Sequence, residues 1–138
     1  MGTEIHWLAV IVAGVAAFLV GGVWYGALFS KAWMAARGVT KESMEAAGAK
    51  SNVGMLFGIT FVLDLVMAFI LDHVLGTYNY PGLSDTLMIA GGVALGFVIP
   101  AMIVNYLYQQ ATLKLILIDA GHWLSAFLAM GAALSLMI

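Results

Sequence analysis

The chain has 138 residues, of which 64% are hydrophobic and only 9% are charged. Water-soluble domains carry about a quarter charged residues, so this chain has too few polar side chains to cover a globule in water, and its apolar excess must face lipid. The net charge of −2 offers no basic patch for nucleic acid, and the lack of cysteine excludes disulfides and thiolate chemistry.

Four apolar segments account for nearly the whole chain. The first, residues 5–29, contains no Asp, Glu, Lys or Arg and is longer than the roughly 20 residues that one crossing requires. A signal peptide would need a basic start and a shorter apolar run, so we expect the segment to be retained. The other three spans are predicted at about 53–75, 86–108 and 115–138. The sequence therefore predicts an all-α membrane protein, one domain over residues 1–138, folded as a four-helix transmembrane bundle.

The predicted loop between the first and second spans, residues 30–52, contains four of the five Lys and Arg residues. Within it, Thr40 is placed to cap a short helix that Gly48 would end, and a flexible loop is an equally good interpretation. The fifth basic residue, Lys114, precedes the fourth span on the same side of the membrane. By the positive-inside rule that side is cytoplasmic, which places both termini and the 76–85 loop outside.

Glycine spacing indicates how the helices associate, because helices in lipid depend on close backbone approach at small residues. The pattern Gly-x-x-x-Gly occurs once in each of the first three spans, at Gly22/Gly26, Gly54/Gly58 and Gly92/Gly96. We expect these pairs to pack helices together within the bundle, with a seam between two chains as the alternative. A homo-oligomer is expected in addition, because a four-helix monomer has a large perimeter facing the lipid bilayer.

Three ionisable residues fall at bilayer depth: Asp64, Asp119 and His122. Each costs about 2.5–3.5 kcal/mol on insertion scales, so each needs a partner or a function. At a rise of about 1.5 Å per residue, Asp64 and His122 lie at similar depths and are predicted to meet, while Asp119 lies near the level of Asn105. The spacing of Asp119 and His122 places both on one face of the fourth helix, which we expect to point inward.

Aromatic residues near the same end, Trp24, Tyr25 and Tyr106, complete a predicted polar cavity. Pro100 removes a backbone donor and is expected to kink the third span beside it. In one interpretation these polar groups are hydrogen-bond clamps that fix helix register. In the other, which we favour, a carboxylate and a histidine carry protons or coordinate a cation, because two acids and a histidine exceed what clamping needs.

The remaining ionisable residues near the membrane, His6, Asp72, His73 and Asp85, fall at the opposite interface, where we expect them to be solvated. A metal site built from His6, Asp72 and His73 is disfavoured. The chain contains no His-Glu-x-x-His, no Gly-x-Ser-x-Gly and no glycine loop followed by Lys. We therefore expect no enzyme, no cofactor and no metal.

The order of short motifs along the chain is distinctive. These motifs are His-Trp-Leu-Ala at 6–9, Gly-Val-Trp-Tyr-Gly at 22–26, Lys-Ala-Trp at 31–33, Asn105, and Leu-Lys-Leu at 113–115 running into Ile-Asp-Ala-Gly-His-Trp-Leu at 118–124. Over essentially its whole length the chain resembles the small prokaryotic membrane proteins grouped as domain of unknown function family 1761. The resemblance implies four helices in a prokaryotic cytoplasmic (inner) membrane and brings no activity with it. Family members often have Tyr where His122 stands and Asn where His6 stands, which makes Asp119 the stronger candidate for a shared role.

Two functional hypotheses follow. The leading one is a small transporter or channel-like protein that moves protons, a cation or a small polar solute. Its pathway would be formed by Asp64, Asn105, Asp119, His122, Trp24, Tyr25 and Tyr106. The alternative is a non-catalytic packing or accessory protein whose glycine faces bind other membrane subunits.

Overall fold

The computed structural model describes residues 4–50 and 52–138, and throughout these residues the regular structure is helical, with no strand. Four helices are long and apolar enough to cross a membrane: Trp7–Leu28, Val53–Thr77, Leu83–Tyr108 and Leu113–Met137. Helices suit the interior of a lipid bilayer because they satisfy every backbone hydrogen bond within the segment. The prediction of an all-α bundle with four spans is confirmed.

Local capping fixes where two of the spans begin. The Asn52 side chain accepts a hydrogen bond from the backbone N–H of Met55 at 2.9 Å, at the start of the second span. At the start of the fourth span, the Thr112 hydroxyl accepts the N–H of Leu115 at 3.2 Å. Because Thr112 caps the helix, the fourth span begins at Leu113, ahead of the predicted 115, and its first turn includes polar residues that the apolar run does not reveal.

A short helix, Ser30–Arg37, follows the first span directly. It ends at Gly38, which has a φ of 70° in the left-handed region that glycine adopts without strain. Beyond this glycine the N–H of Val39 donates to the carbonyl of Met34 at 3.0 Å, which is the hydrogen bond of a Schellman cap. The chain therefore turns sharply at Gly38, where this short helix ends.

A second short helix, Lys41–Lys50, leads towards the second span. Thr40 and Ser43 bond reciprocally at its start: the N–H of Ser43 donates to the Thr40 hydroxyl at 3.0 Å, and the N–H of Thr40 donates to the Ser43 hydroxyl at 2.9 Å. The helix continues past Gly48, the residue expected to end it. Ser51, within the predicted loop, lies outside the described residues.

The fourth span lies at the centre of the bundle, packed along both the first and the third spans. The second span packs on the first and makes few contacts with the third. Small side chains form much of the core and allow close helix approach. These core alanines, each no more than 3% exposed, are Ala9, Ala13, Ala17, Ala68, Ala90, Ala94 and Ala126.

The glycines at which neighbouring helices approach closely are not those of the predicted Gly-x-x-x-Gly pairs. A Cβ added to Gly14 would lie 2.6 Å from a side-chain carbon of Leu65, and one added to Gly131 would lie 2.9 Å from the Cβ of Ala90. Among the described residues, a Cβ added to the predicted pairs would meet no neighbouring helix: those glycines are Gly22, Gly26, Gly54, Gly58, Gly92 and Gly96. The prediction that these pairs pack within the bundle is therefore wrong, because spacing defines a small-residue face but not the direction in which it points.

The bundle opens at one end, which we call the basic end because Lys31, Lys41 and Lys114 lie there. Every residue of the second span up to Thr60 is exposed, whereas the span contributes buried residues from Asp64 onward. The second span thus leans away from its neighbours at the basic end and joins the core only towards the opposite end. A cavity lies in the space that this leaves.

Two spans contain a π-helical turn, a wide turn that often marks functional sites. One, Ala94–Val98, comes shortly before Pro100 in the third span. Proline lacks the N–H that an α-helix would use at that position, and a wider turn accommodates its ring. The other, Val23–Leu28, ends the first span and contains Trp24 and Tyr25.

Candidate functional site

Asp119 is the centre of a hydrogen-bonded cluster that joins three spans. The residue is only 5% exposed. The Tyr25 hydroxyl, from the first span, donates to one carboxylate oxygen at 2.5 Å, and the Tyr106 hydroxyl, from the third span, donates to the other at 2.5 Å. The predicted grouping of these three residues is present, and the two tyrosines are the direct partners of the acid.

The π-helical turn of the first span directs two consecutive residues at the fourth span. Beside Tyr25, the indole N–H of Trp24 donates to the backbone carbonyl of Ile118 at 2.9 Å. Successive residues of an α-helix point about 100° apart, so a wider turn helps both side chains reach neighbouring positions on one partner helix. The indole lies against Gly121, where an added Cβ would come within 2.7 Å of it.

His122 lies one turn further into the bundle than Asp119. It is 9% exposed, and its ring centroid is 4.9 Å from that of Tyr25. Its Nδ1 atom has no hydrogen-bond partner among the described residues. Gly21 lies beside the ring, and a Cβ added there would make an ordinary van der Waals contact with Nε2 at 3.4 Å. The ring is thus held by packing against its neighbours.

Two predicted residues stand apart from this cluster. Asp64 is buried at 4% exposure on the second span, but no hydrogen bond joins its carboxylate to His122 or to any other described side chain. Asn105 is exposed, and the contact predicted between it and Asp119 is made by the next residue, Tyr106. Depth along a helix can be counted from the sequence, whereas the direction in which a side chain points cannot.

A cavity of about 1220 Å³, which we call the vestibule, leads from the basic end to Asp119. Six segments line it: the end of the first span, both short helices, the divergent start of the second span, and one residue each of the third and fourth spans. Its lining includes Tyr25, Lys31, Trp33, Met34, Lys41, Met44, Glu45, Leu56, Phe57, Tyr106 and Asp119. Of these residues, the sequence predicted Tyr25, Tyr106 and Asp119. It did not indicate the others, although the Lys-Ala-Trp motif at 31–33 contains two of them.

The basic side chains around the vestibule do not neutralise its buried acid. Lys31 and Lys41 are exposed, and the Arg37 guanidinium lies 5.3 Å from the centroid of the Trp33 ring in a cation–π contact. No described Lys or Arg forms an ion pair with Asp119. The described residues also contain no group of three potential metal ligands.

A second buried acid lies at the opposite end of the bundle. Asp72 is 2% exposed, and its carboxylate lies 3.2 Å from Nδ1 of His6. The Tyr80 ring packs edge-on against His6 at 4.9 Å between centroids, and burial together with the negative charge of Asp72 raises the pKa of Tyr80. The expectation that Asp72 is simply solvated is wrong, because the segment before the first span folds over it. His73 is exposed.

We expect His6→Ala to lower the free energy of unfolding by about 1–3 kcal/mol, because it removes the imidazole nitrogen that lies 3.2 Å from the buried Asp72 carboxylate, although the backbone N–H of residue 6 can still donate to that carboxylate. The matched control is His73→Ala, which removes an exposed histidine next to the same acid and is expected to change stability by less than about 0.5 kcal/mol. Denaturant titration in detergent micelles measures both. Equal stability of the two variants would show that the His6–Asp72 contact contributes nothing.

Comparison with known proteins places this site within one family. The sequence profile of the family described as "Protein of unknown function (DUF1761)" matches residues 8–135. The match extends from the first span to the fourth and contains every residue of the Asp119 cluster. No curated protein matches the chain, and no solved structure does.

Proposed function

The chain belongs to the DUF1761 family, and from the geometry of its site we propose that it is a small membrane transporter that takes up a proton or a cation at Asp119. One observation carries the proposal. The carboxylate of Asp119, a residue that is 5% exposed, lies at the inner end of an open vestibule and forms no ion pair with a described basic residue.

Burial of a charged carboxylate at membrane depth is costly unless its charge is compensated. The hydroxyls of Tyr25 and Tyr106 supply hydrogen bonds but no positive charge. A proton or a cation that enters through the vestibule would supply the missing compensation. Asp119 is therefore suited to bind and release such a species, whereas a purely structural acid would be expected to have a fixed basic partner.

Further buried ionisable groups extend the proposed pathway. His122 lies one turn beyond Asp119, and Asp64 lies on the neighbouring second span. Beyond them, Ala68 and Leu71 close the core at exposures of 0% and 2%. In our proposal this structure is the conformation of the transporter in which the pathway is open at the basic end. We further propose that the basic end faces the cytoplasm of a prokaryote, in accordance with the positive-inside rule.

Proton flux in proteoliposomes tests the proposal. We expect Asp119→Asn to abolish flux, because an amide cannot take up a proton or balance a cation. Asp85→Asn is the matched control, since the same substitution at an exposed residue leaves the vestibule intact. Flux that persists in Asp119→Asn at the level of Asp85→Asn would refute the assigned role.

The outward-facing glycines support an alternative, a packing or accessory function in which the chain binds other membrane subunits. Gly22, Gly26, Gly92 and Gly96 lie on exposed faces where an added Cβ would meet nothing within 4 Å. Such faces suit close contact with another helix, and we propose that they also mediate a homo-oligomer. In the accessory alternative, Asp119→Asn would lower thermal stability in detergent and alter no flux.

A further inference from the structure

The vestibule combines one buried carboxylate with aromatic walls. From this combination we propose that its ligand is an organic cation with apolar substituents, such as a quaternary ammonium or phosphonium ion. The inference rests on the proposed role of Asp119 as a cation-binding group and adds the chemical class of what it binds.

The aromatic residues lie where a cation beside Asp119 would meet them. Tyr25 and Tyr106 both contact the carboxylate. The rings of Tyr25 and Trp33 are 6.2 Å apart at an interplanar angle of 76°, so they form a corner, and Phe57 lines the vestibule from the second span. Aromatic faces attract cations within about 6 Å, and such cages recognise quaternary ammonium groups.

The size of the vestibule favours a large ligand over an inorganic ion. Its volume of about 1220 Å³ exceeds the range of about 300–1000 Å³ typical of small-molecule sites. An inorganic cation that has lost its water needs several oxygen ligands at short range, and the described residues contain no group of three His, Cys, Asp or Glu side chains that could supply them. Met34, Met44 and Leu56 add flexible apolar surface that adapts to varied substituents.

Lys31 and Lys41 also line the vestibule, together with Glu45. Both lysines are exposed, so their long side chains extend towards water or lipid phosphates while their stems cover apolar surface. Their charge repels a cationic ligand and would attract an anionic one. Removal of the Lys31 charge should therefore strengthen the binding of a cationic ligand and weaken the binding of an anionic one. The direction of the change in affinity distinguishes the two kinds of ligand.

The experiment is equilibrium binding of tetraphenylphosphonium to the purified full-length protein in neutral detergent. We expect saturable binding that Asp119→Asn weakens at least about tenfold, equivalent to 1.4 kcal/mol. Tyr106→Phe is expected to weaken it severalfold, while Tyr108→Phe, the same substitution at a residue that is 89% exposed on the same span, leaves it unchanged. If Asp119→Asn fails to fold, Trp33→Ala replaces it, because Trp33 lies outside the transmembrane core.

We expect Lys31→Gln to tighten tetraphenylphosphonium binding. Three results would overturn the inference: no saturable binding, equal affinity in wild type and Asp119→Asn, or binding of 8-anilinonaphthalene-1-sulfonate that Lys31→Gln abolishes. If tetraphenylphosphonium does not bind while Asp119-dependent proton flux persists, the inference fails and the proposed function stands. If it binds through Asp119 and no proton or tetraphenylphosphonium flux occurs in proteoliposomes, the ligand class stands and transport fails.

Discussion

The double substitution Tyr25→Phe, Tyr106→Phe is expected to lower the free energy of unfolding by about 3–4 kcal/mol, more than the sum of the single substitutions. Each hydroxyl donates to a different oxygen of the Asp119 carboxylate. After one is lost, the other still anchors the acid. After both are lost, only water from the vestibule can replace them, and the first and third spans both lose their hydrogen bonds to the Asp119 carboxylate of the fourth span.

A double-mutant cycle in detergent, followed by denaturant titration, measures this coupling. Each single variant is expected to cost about 1 kcal/mol, the typical contribution of one hydrogen bond. Tyr108→Phe is the control, because its hydroxyl lies on an exposed side chain outside the cluster. Strictly additive losses would show that the two tyrosines do not act on one carboxylate.

Gly121→Ala is expected to destabilise the protein by about 1–3 kcal/mol, the usual cost of overpacking a core. The new Cβ would lie 2.7 Å from one carbon of the Trp24 indole and 3.1 Å from another. The ring is rigid and is held by its hydrogen bond to the Ile118 carbonyl. It must therefore shift, which also displaces Tyr25 and widens the separation of the first and fourth spans.

Gly58→Ala provides the matched control, because an added Cβ there meets nothing within 4 Å. Its stability is expected to stay within about 0.5 kcal/mol of wild type or to rise slightly through helix propensity. Thermal unfolding in the same detergent compares the two variants. A Gly121→Ala protein as stable as Gly58→Ala would contradict the close packing of Trp24 on the fourth span.

The four spans could be predicted because the bilayer imposes a simple requirement of about 20 apolar residues per crossing. The helix starts were less predictable, since capping by Thr112 extends the fourth span through Lys114. The second span shows a further limit. Its first half, up to Leu63, is apolar apart from Thr60, yet it leans away from the core. An apolar stretch in a membrane helix does not show whether it faces lipid or protein.

The candidate site was predictable in composition but only partly in geometry. Asp119, Tyr25 and Tyr106 could be identified because polar residues at the same depth in neighbouring spans tend to meet. The same reasoning gave the wrong partner when it placed Asn105 beside Asp119, because a shift of one residue along a helix turns the side chain by about 100°. The His6–Asp72 pair was missed because residues near an interface were expected to be solvated.

Helix contacts through glycine could not be predicted from spacing. Gly121 and Gly131 lack the Gly-x-x-x-Gly pattern but lie at close approaches, next to Trp24 and Ala90. The three patterned pairs lie on outward faces. Pattern alone does not distinguish a contact within one chain from a contact between chains, because both need a small-residue face.

Infrared difference spectroscopy of the Asp119 carboxyl group tests the central claim most directly. A step in pH, or addition of tetraphenylphosphonium, should change the C=O stretching band of a protonated carboxyl group in the wild type, and that change should be absent in Asp119→Asn and present in Asp85→Asn. Such a result would show that Asp119 exchanges its proton through the vestibule. Identical difference spectra for the wild type and Asp119→Asn would contradict the account, because the acid would then have a fixed protonation state and a purely structural role.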